Sequence, residues 1–370
     1  MTVNLPPAAP ADFWSGRRVL VTGHTGFKGS WLSLWLARLG ARVSGLALPP
    51  PTVPSLFELA RVGDGMRSIL ADLRDARAVR DALRETRPEI VFHLAAQPLV
   101  RQSYADPVET YATNVMGLVH LLEAVRQSGE VRAIVIVTSD KCYENREWLW
   151  GYREDEALGG HDPYSSSKAC AEIVAAAWRR SFFHANHMPA LATARAGNVI
   201  GGGDWAKDRL LPDLLAALAA GRPVTLRHPD ALRPWQHVLE PLHGYLLLAE
   251  KLCQEGAAFA EAWNFGPAEE DARPVRWLAE ELAGHWPRSA HPVWIPDAAP
   301  HPHEARALKL DAAKARARLG WQPRWNLATA LAKTAEWHRA YQAQEEMRAV
   351  TLAQIAAFER DEIRASGPTD

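Results

Sequence analysis

Tyr164-Ser-Ser-Ser-Lys168 sets a phenol and an ammonium four residues apart, on one face of a helix. A neighbouring ammonium favours the phenolate, which lowers the phenol's pKa and lets a tyrosine take the proton of an alcohol. Upstream, Val137-Thr-Ser-Asp-Lys141 ends an apolar run with a hydroxyl, a carboxylate and an amine in succession. Ser139 can orient the hydroxyl that Tyr164 deprotonates, and Asp140 with Lys141 supplies a second acid–base pair. Taken singly, a Tyr-Lys spacing or an Asp-Lys dipeptide is ordinary surface chemistry. A cofactor motif ahead of both is what gives them meaning.

That motif is Gly23-His-Thr-Gly26-Phe-Lys-Gly29. It lies between a β-branched run, Arg18-Val-Leu-Val-Thr22, and an amphipathic helix. Gly23, Gly26 and Gly29, with Thr25 and Phe27 between them, form a turn whose backbone N–H groups can approach a pyrophosphate at a helix N-terminus. Asp72, followed by Leu73, can accept from an adenine amino group, and Leu94-Ala95-Ala96 offers small residues for close cofactor packing. Val43 to Leu48, the expected second strand, carries neither the acid that binds the ribose diol of NAD nor an arginine for NADP.

Further apolar runs at Ile90 to Leu94 and Val131 to Val137 alternate with helical patterns at Ala76 to Glu85, Val115 to Ser128 and Tyr164 to Phe183, and Ala190 to Val199 reads as another strand. The alternation predicts an α/β fold, a Rossmann-type doubly wound parallel sheet with a smaller, mixed C-terminal substrate-binding lobe. The expected organisation is a flexible N-terminus (1–15), an NAD-binding domain carrying the catalytic residues (16–200), a mainly substrate-binding lobe (201–330) and a C-terminal helical extension (331–370). Within the lobe, helices are expected at Leu210 to Ala220, Pro241 to Leu252 and Pro274 to Gly284.

With 370 residues, nearly half of them apolar, the chain can bury a large core. A formal net charge of -1 provides no basic field for nucleic acid or an anionic membrane. Cys142, Cys170 and Cys253 are too few and too scattered for a disulfide framework or a CxxC metal site. With no signal-peptide pattern and no run of about 18 apolar residues, the expectation is a cytoplasmic protein.

The glycine motif, the strand-end Ser139 and the Tyr164/Lys168 pair together resemble the extended short-chain dehydrogenases that act on nucleotide sugars, from Arg18 to about Trp325. Asp140-Lys141 occupies the place where dehydratases of that family keep an acid–base pair and 4-epimerases generally do not. Thr138-Ser-Asp-Lys-Cys-Tyr-Glu-Asn145, Ala47-Leu-Pro-Pro50, Pro54-Ser-Leu-Phe57 and Arg233-Pro-Trp-Gln-His237 resemble its CDP-glucose 4,6-dehydratase branch. The resemblance implies NAD, a homodimer and a role in making deoxysugars for surface polysaccharide. It also implies oxidation at C4 of the sugar, loss of water across C5 and C6, and hydride return to C6. Asp140 would then be the acid for the C6 hydroxyl and Lys141 the base for the C5 proton, an assignment that the residues themselves leave open to exchange.

The family's asparagine that contacts the diphosphate or sugar corresponds to Asn198. Arg209 and Arg233 are candidates for the diphosphate, since guanidinium forks match phosphate oxygens. Of the fifteen tryptophans, Trp205 and Trp235 are candidates for nucleotide contact, while Trp31 and Trp35 read as core. His237 reads as structural, and His301, His303 and Glu304 as a loop rather than a metal site. Alternatives are another nucleotide-hexose dehydratase, a 4-epimerase, or an NAD-sensing regulator on the same fold.

Overall fold

The computed structural model describes residues 11–185, 188–286, 292–297 and 307–361. Arg18–Thr22 (β1) is buried from its second residue onward and leads into the helix Phe27–Arg38 (α1). The chain continues through Arg42–Ala47 (β2), Arg67–Leu70 (β3), Ala76–Thr86 (α2), Ile90–His93 (β4), Gly117–Ser128 (α3), Ala133–Val137 (β5), Pro163–Ser181 (α4) and Ala190–Arg195 (β6). A seventh strand, Ala262–Asn264 (β7), joins the sheet much later in the chain. All pairs are parallel in the order β7-β6-β5-β4-β1-β2-β3. The order reverses between β1 and β4, which opens a crevice above their carboxyl ends.

The inner strands are apolar on both faces because helices cover both. Val79, Leu118, Leu121 and Ala175 pack from α2, α3 and α4 on one face. On the other face Trp31 and Trp35 of α1 meet Leu242 and Leu246 of the helix Leu239–Glu255, together with Trp337 and Phe358. Asp75 caps α2 by accepting from the N–H groups of Arg77 and Ala78, and Asp162 caps α4 by accepting from Ser165, with Pro163 in the first turn.

Beyond β6 the lobe consists of the helices Leu210–Ala219 and Val275–Gly284 with two-stranded ribbons. Val224–Leu226 pairs with Trp294–Pro296, and Leu232–Pro234 with Ala272–Pro274. The strand expected over Ala190 to Val199 is broken: β6 stops at Arg195, and Val199–Ile200 pairs separately with Gln236–His237.

Two expected boundaries need correction. Residues 1–10 lie outside the described residues, but Trp14 is fully buried and its indole donates to Glu250 Oε1 at 2.7 Å, so the segment reaching residue 15 is not all flexible. The described C-terminal residues form two helices, Leu327–Gln342 and Met347–Arg360, that pack into the core instead of extending from it. Trp337 and Phe358 are fully buried in the same core as Trp31, and Glu359 accepts from the Trp35 indole at 3.0 Å. No helix among the described residues is long and apolar enough to cross a membrane.

Candidate active site

A cavity of about 1140 Å³ runs above the sheet from the glycine turn into the lobe. That exceeds the roughly 300–1,000 Å³ of an ordinary ligand pocket. Gly23 adopts φ +77°, and a Cβ there would lie 2.7 Å from Ala95 N. Thr22 Oγ1 holds that neighbouring loop by accepting from the N–H groups of Leu94 and Ala95, both at 3.2 Å. At Gly29 a Cβ would meet Gly23 O at 2.1 Å, whereas at Gly26 it would meet only Gly23 O, at 3.4 Å. Gly26 also lacks a side-chain cap, so the first N–H groups of α1 face the cavity. This cradle fits a dinucleotide diphosphate. Thr25, Phe27, Leu73 and Ala96 line the same cavity, and Thr25 is tied to Leu48 O at 2.8 Å. Asp72 lines it too, with its carboxylate gripped by Arg74 at 2.6–3.1 Å, a pairing that holds it below the usual carboxylate range.

Tyr164 and Lys168 project from the first turns of α4 toward the end of β5, both buried. The Lys168 ammonium donates to Val137 O at 3.3 Å. Burial brings its pKa down to about 8, against the opposing charge of Glu172. The expected lowering of the Tyr164 phenol is not found. Burial pushes it up to about 12, and a hydrogen bond with Ser139, rather than the lysine, works against that rise. Ser139 Oγ donates to Asp140 Oδ1 at 2.9 Å and accepts from Lys141 N at 3.2 Å. Asp140 is 1% exposed, and its Oδ2 has no hydrogen-bond partner among the described residues. Lys141 is half-buried at the cavity wall.

Asn198, Trp205, Arg209, Arg233 and Trp235 all line the lobe end of this cavity. Asn198 holds φ +31°, a left-handed conformation unfavourable for a side-chain-bearing residue, and its Nδ2 has no partner among the described residues. Arg209 is anchored by Asp204 at 2.8 Å, and Arg233 Nη1 donates to Leu232 O at 3.0 Å. The Trp235 indole N–H is buried without a partner among the described residues. Trp205 packs edge-on against Trp337, His338 and Tyr341. His237 is enclosed by Trp31 and Trp325, which suits a structural residue. His301, His303 and Glu304 lie outside the described residues.

Sequence reasoning passed over Lys28, which reads as filler between two motif glycines. Its amine donates to Tyr245 OH at 3.0 Å. Burial, followed by the charges of Lys168 and Arg209, lowers its pKa to about 7, with Asp140 opposing. Anionic ligands favour the protonated amine, so dinucleotide affinity is expected to weaken as pH rises through about 7. Calorimetric titration across that range should show the dependence in the native chain and a flatter profile in Lys28→Met. An unchanged profile would mean that Lys28 does not carry it.

The model of the GDP-mannose 4,6-dehydratase family matches residues 20–334. The chain belongs to this family. The CDP-glucose 4,6-dehydratase of Salmonella typhimurium strain LT2 is 55% identical over 351 residues, covering 94% of this chain and 97% of its own. A UDP-glucose 4-epimerase of Mycolicibacterium smegmatis is 29% identical over 326 residues, covering 87% and 98%. Among solved structures, the Thermus thermophilus UDP-glucose 4-epimerase complex with NAD superposes with a TM-score of 0.71 at 26% identity, covering 87% of this chain and 99% of that one. The GDP-mannose 4,6-dehydratase family match spans the glycine turn, the Tyr164/Lys168 helix and the lobe, all of which border one cavity.

Proposed function

We propose that this protein converts CDP-D-glucose to CDP-4-dehydro-6-deoxy-D-glucose and water, with NAD held in the Gly23–Gly29 cradle throughout. The observation that carries the reading is a buried carboxylate, Asp140, with one oxygen that has no partner among the described residues, beside Ser139 and Tyr164 in a cavity shared with the glycine turn. A 4-epimerase does not need an acid there. The 55% identity to a CDP-glucose 4,6-dehydratase supports the choice of base and sugar.

NAD, held by the Gly23–Gly29 cradle, would supply a hydride acceptor for sugar C4 and a hydride donor for C6, with no net redox change. Ser139 orients the C4 hydroxyl and Tyr164 removes its proton, with the Lys168 charge one helical turn away. The resulting ketone acidifies the C5 hydrogen, which Lys141 removes as a proton. The C6–O bond then breaks as Asp140, acting as the acid, gives a proton to the departing hydroxyl, and the proton held by Lys141 goes back to C5 when C6 takes up the hydride. Arg209, steadied by Asp204, and Arg233 face the nucleotide diphosphate, Asn198 faces the diphosphate or sugar, and Trp205 and Trp235 border the nucleotide. Leu73 and Asp72 border the adenine, while Leu94, Ala95 and Ala96 pack against the cofactor.

The working form is a cytoplasmic homodimer that supplies deoxysugar for surface polysaccharide. Val108, Tyr111 and Met116, which lead into α3, are exposed together with Ile173 on α4, an apolar set that suits pairing of two copies. The direct test incubates the protein with CDP-glucose, UDP-glucose, dTDP-glucose or GDP-mannose and follows loss of one water by mass. Loss from CDP-glucose alone is expected. Loss from another nucleotide would overturn the substrate and keep the reaction, and an isomerised sugar without water loss would favour an epimerase.

A further inference from the structure

Gly197 follows β6 at the point where the chain crosses beneath the acid–base pair, and Ala196 O accepts from Asp140 N–H at 3.4 Å. A Cβ built on Gly197 would lie 2.1 Å from Asp140 Oδ2 and 2.6 Å from its Cγ. The third-nearest atom, at 3.3 Å, also belongs to Asp140. The backbone supplies no other reason for glycine here. Gly197 is absent from the positive-φ residues of the chain, whereas its neighbour Asn198 holds φ +31° with a full side chain. Had conformation been the requirement, glycine would stand at 198.

We propose that Gly197 is a positioning residue: its missing side chain leaves the space in which the Asp140 carboxylate sits and faces the C6 hydroxyl of the sugar. The inference rests on the dehydratase reading for its chemistry, though not for its geometry. The three atoms nearest an added Cβ all belong to the Asp140 side chain, so that side chain, rather than the backbone, is what must give way. Asp140 must rotate, and in rotating it gives up the hydrogen bond from Ser139. Oxidation at C4 uses Tyr164 and Ser139 and does not need the Asp140 acid, so the two halves of the reaction should separate.

The test is Gly197→Ala in the full-length, NAD-loaded protein. Water loss should fall on the order of 10²-fold or more, the scale of one general acid. The thermal midpoint should hold, and reduced nicotinamide should accumulate in its near-ultraviolet absorbance after substrate addition, as it should in Asp140→Asn. Combining the two substitutions should lower the rate no further than Asp140→Asn alone, because the acid is already displaced. A crystal structure of Gly197→Ala should show the carboxylate rotated. Dehydration at the native rate, losses that multiply in the double variant, or an unmoved carboxylate would each overturn the proposal. If the native protein releases water from no nucleotide sugar, the dehydratase reading falls, and the Asp140 position in the variant crystal still decides the role of Gly197.

Discussion

Tyr164→Phe is expected to abolish most turnover, a loss on the order of 10²–10⁴-fold, while leaving the fold intact. The ring stays buried at the start of α4, so packing survives and only the hydroxyl is lost. One buried hydroxyl with a single hydrogen-bond partner is worth about 1 kcal/mol. Lys168→Met should lose activity as well, but with the opposite effect on stability. The lysine titrates at about 8 in the fold against its ordinary value of 10.5, so the folded chain holds its proton less tightly than the unfolded chain. Stability therefore rises as pH climbs from about 8 to about 10.5, and at neutral pH the buried charge costs about 3 kcal/mol. Removing it should raise the thermal midpoint at pH 7 and remove the gain in midpoint expected above pH 8 in the native chain. A midpoint that falls in Lys168→Met would show that the bond to Val137 O outweighs the burial cost.

These side chains were legible in the sequence because the chemistry needs them contiguous or at helical spacing. Tyr164 and Lys168 share a helix face, and Ser139 and Asp140 share a strand end. The long strands and α1 were equally readable, since burial on both faces leaves an uninterrupted apolar run. What stayed hidden depends on tertiary surroundings. Arg67–Leu70 is an exposed edge strand with no apolar alternation, and Ala262–Asn264 is three residues borrowed by a distant sheet. The break after β6 turns on the left-handed Asn198. The direction of the Tyr164 shift was misjudged because spacing reports a neighbour's charge but says nothing of burial, and here burial is the larger influence. Lys28 escaped notice for the same reason: only the fold brings Lys168 and Arg209 near enough to act on it.

Glu172 shows how such a hidden residue governs visible ones. It stands one turn beyond Lys168 on α4, 3% exposed in its side chain, and binds the equally buried Arg195 of β6 through both oxygens at 2.9 and 3.0 Å. The same carboxylate accepts from Thr138 at 2.5 Å and Thr193 at 2.7 Å, tying the strand end that carries Ser139 to the helix that carries Tyr164. Glu172→Gln keeps the shape but leaves the Arg195 guanidinium buried without its counter-charge, so a loss of about 3–5 kcal/mol is expected in denaturant unfolding. It also withdraws the charge that supports the Lys168 proton, so the alkaline limb of the rate profile should move to lower pH. The two effects can be separated. In the double variant Glu172→Leu with Arg195→Met neither charge of that ion pair is left buried alone, so much of the stability should return. The displaced alkaline limb should remain, because Lys168 still lacks its neighbour. Recovery of both together would mean that Glu172 acts on the reaction through rigidity alone.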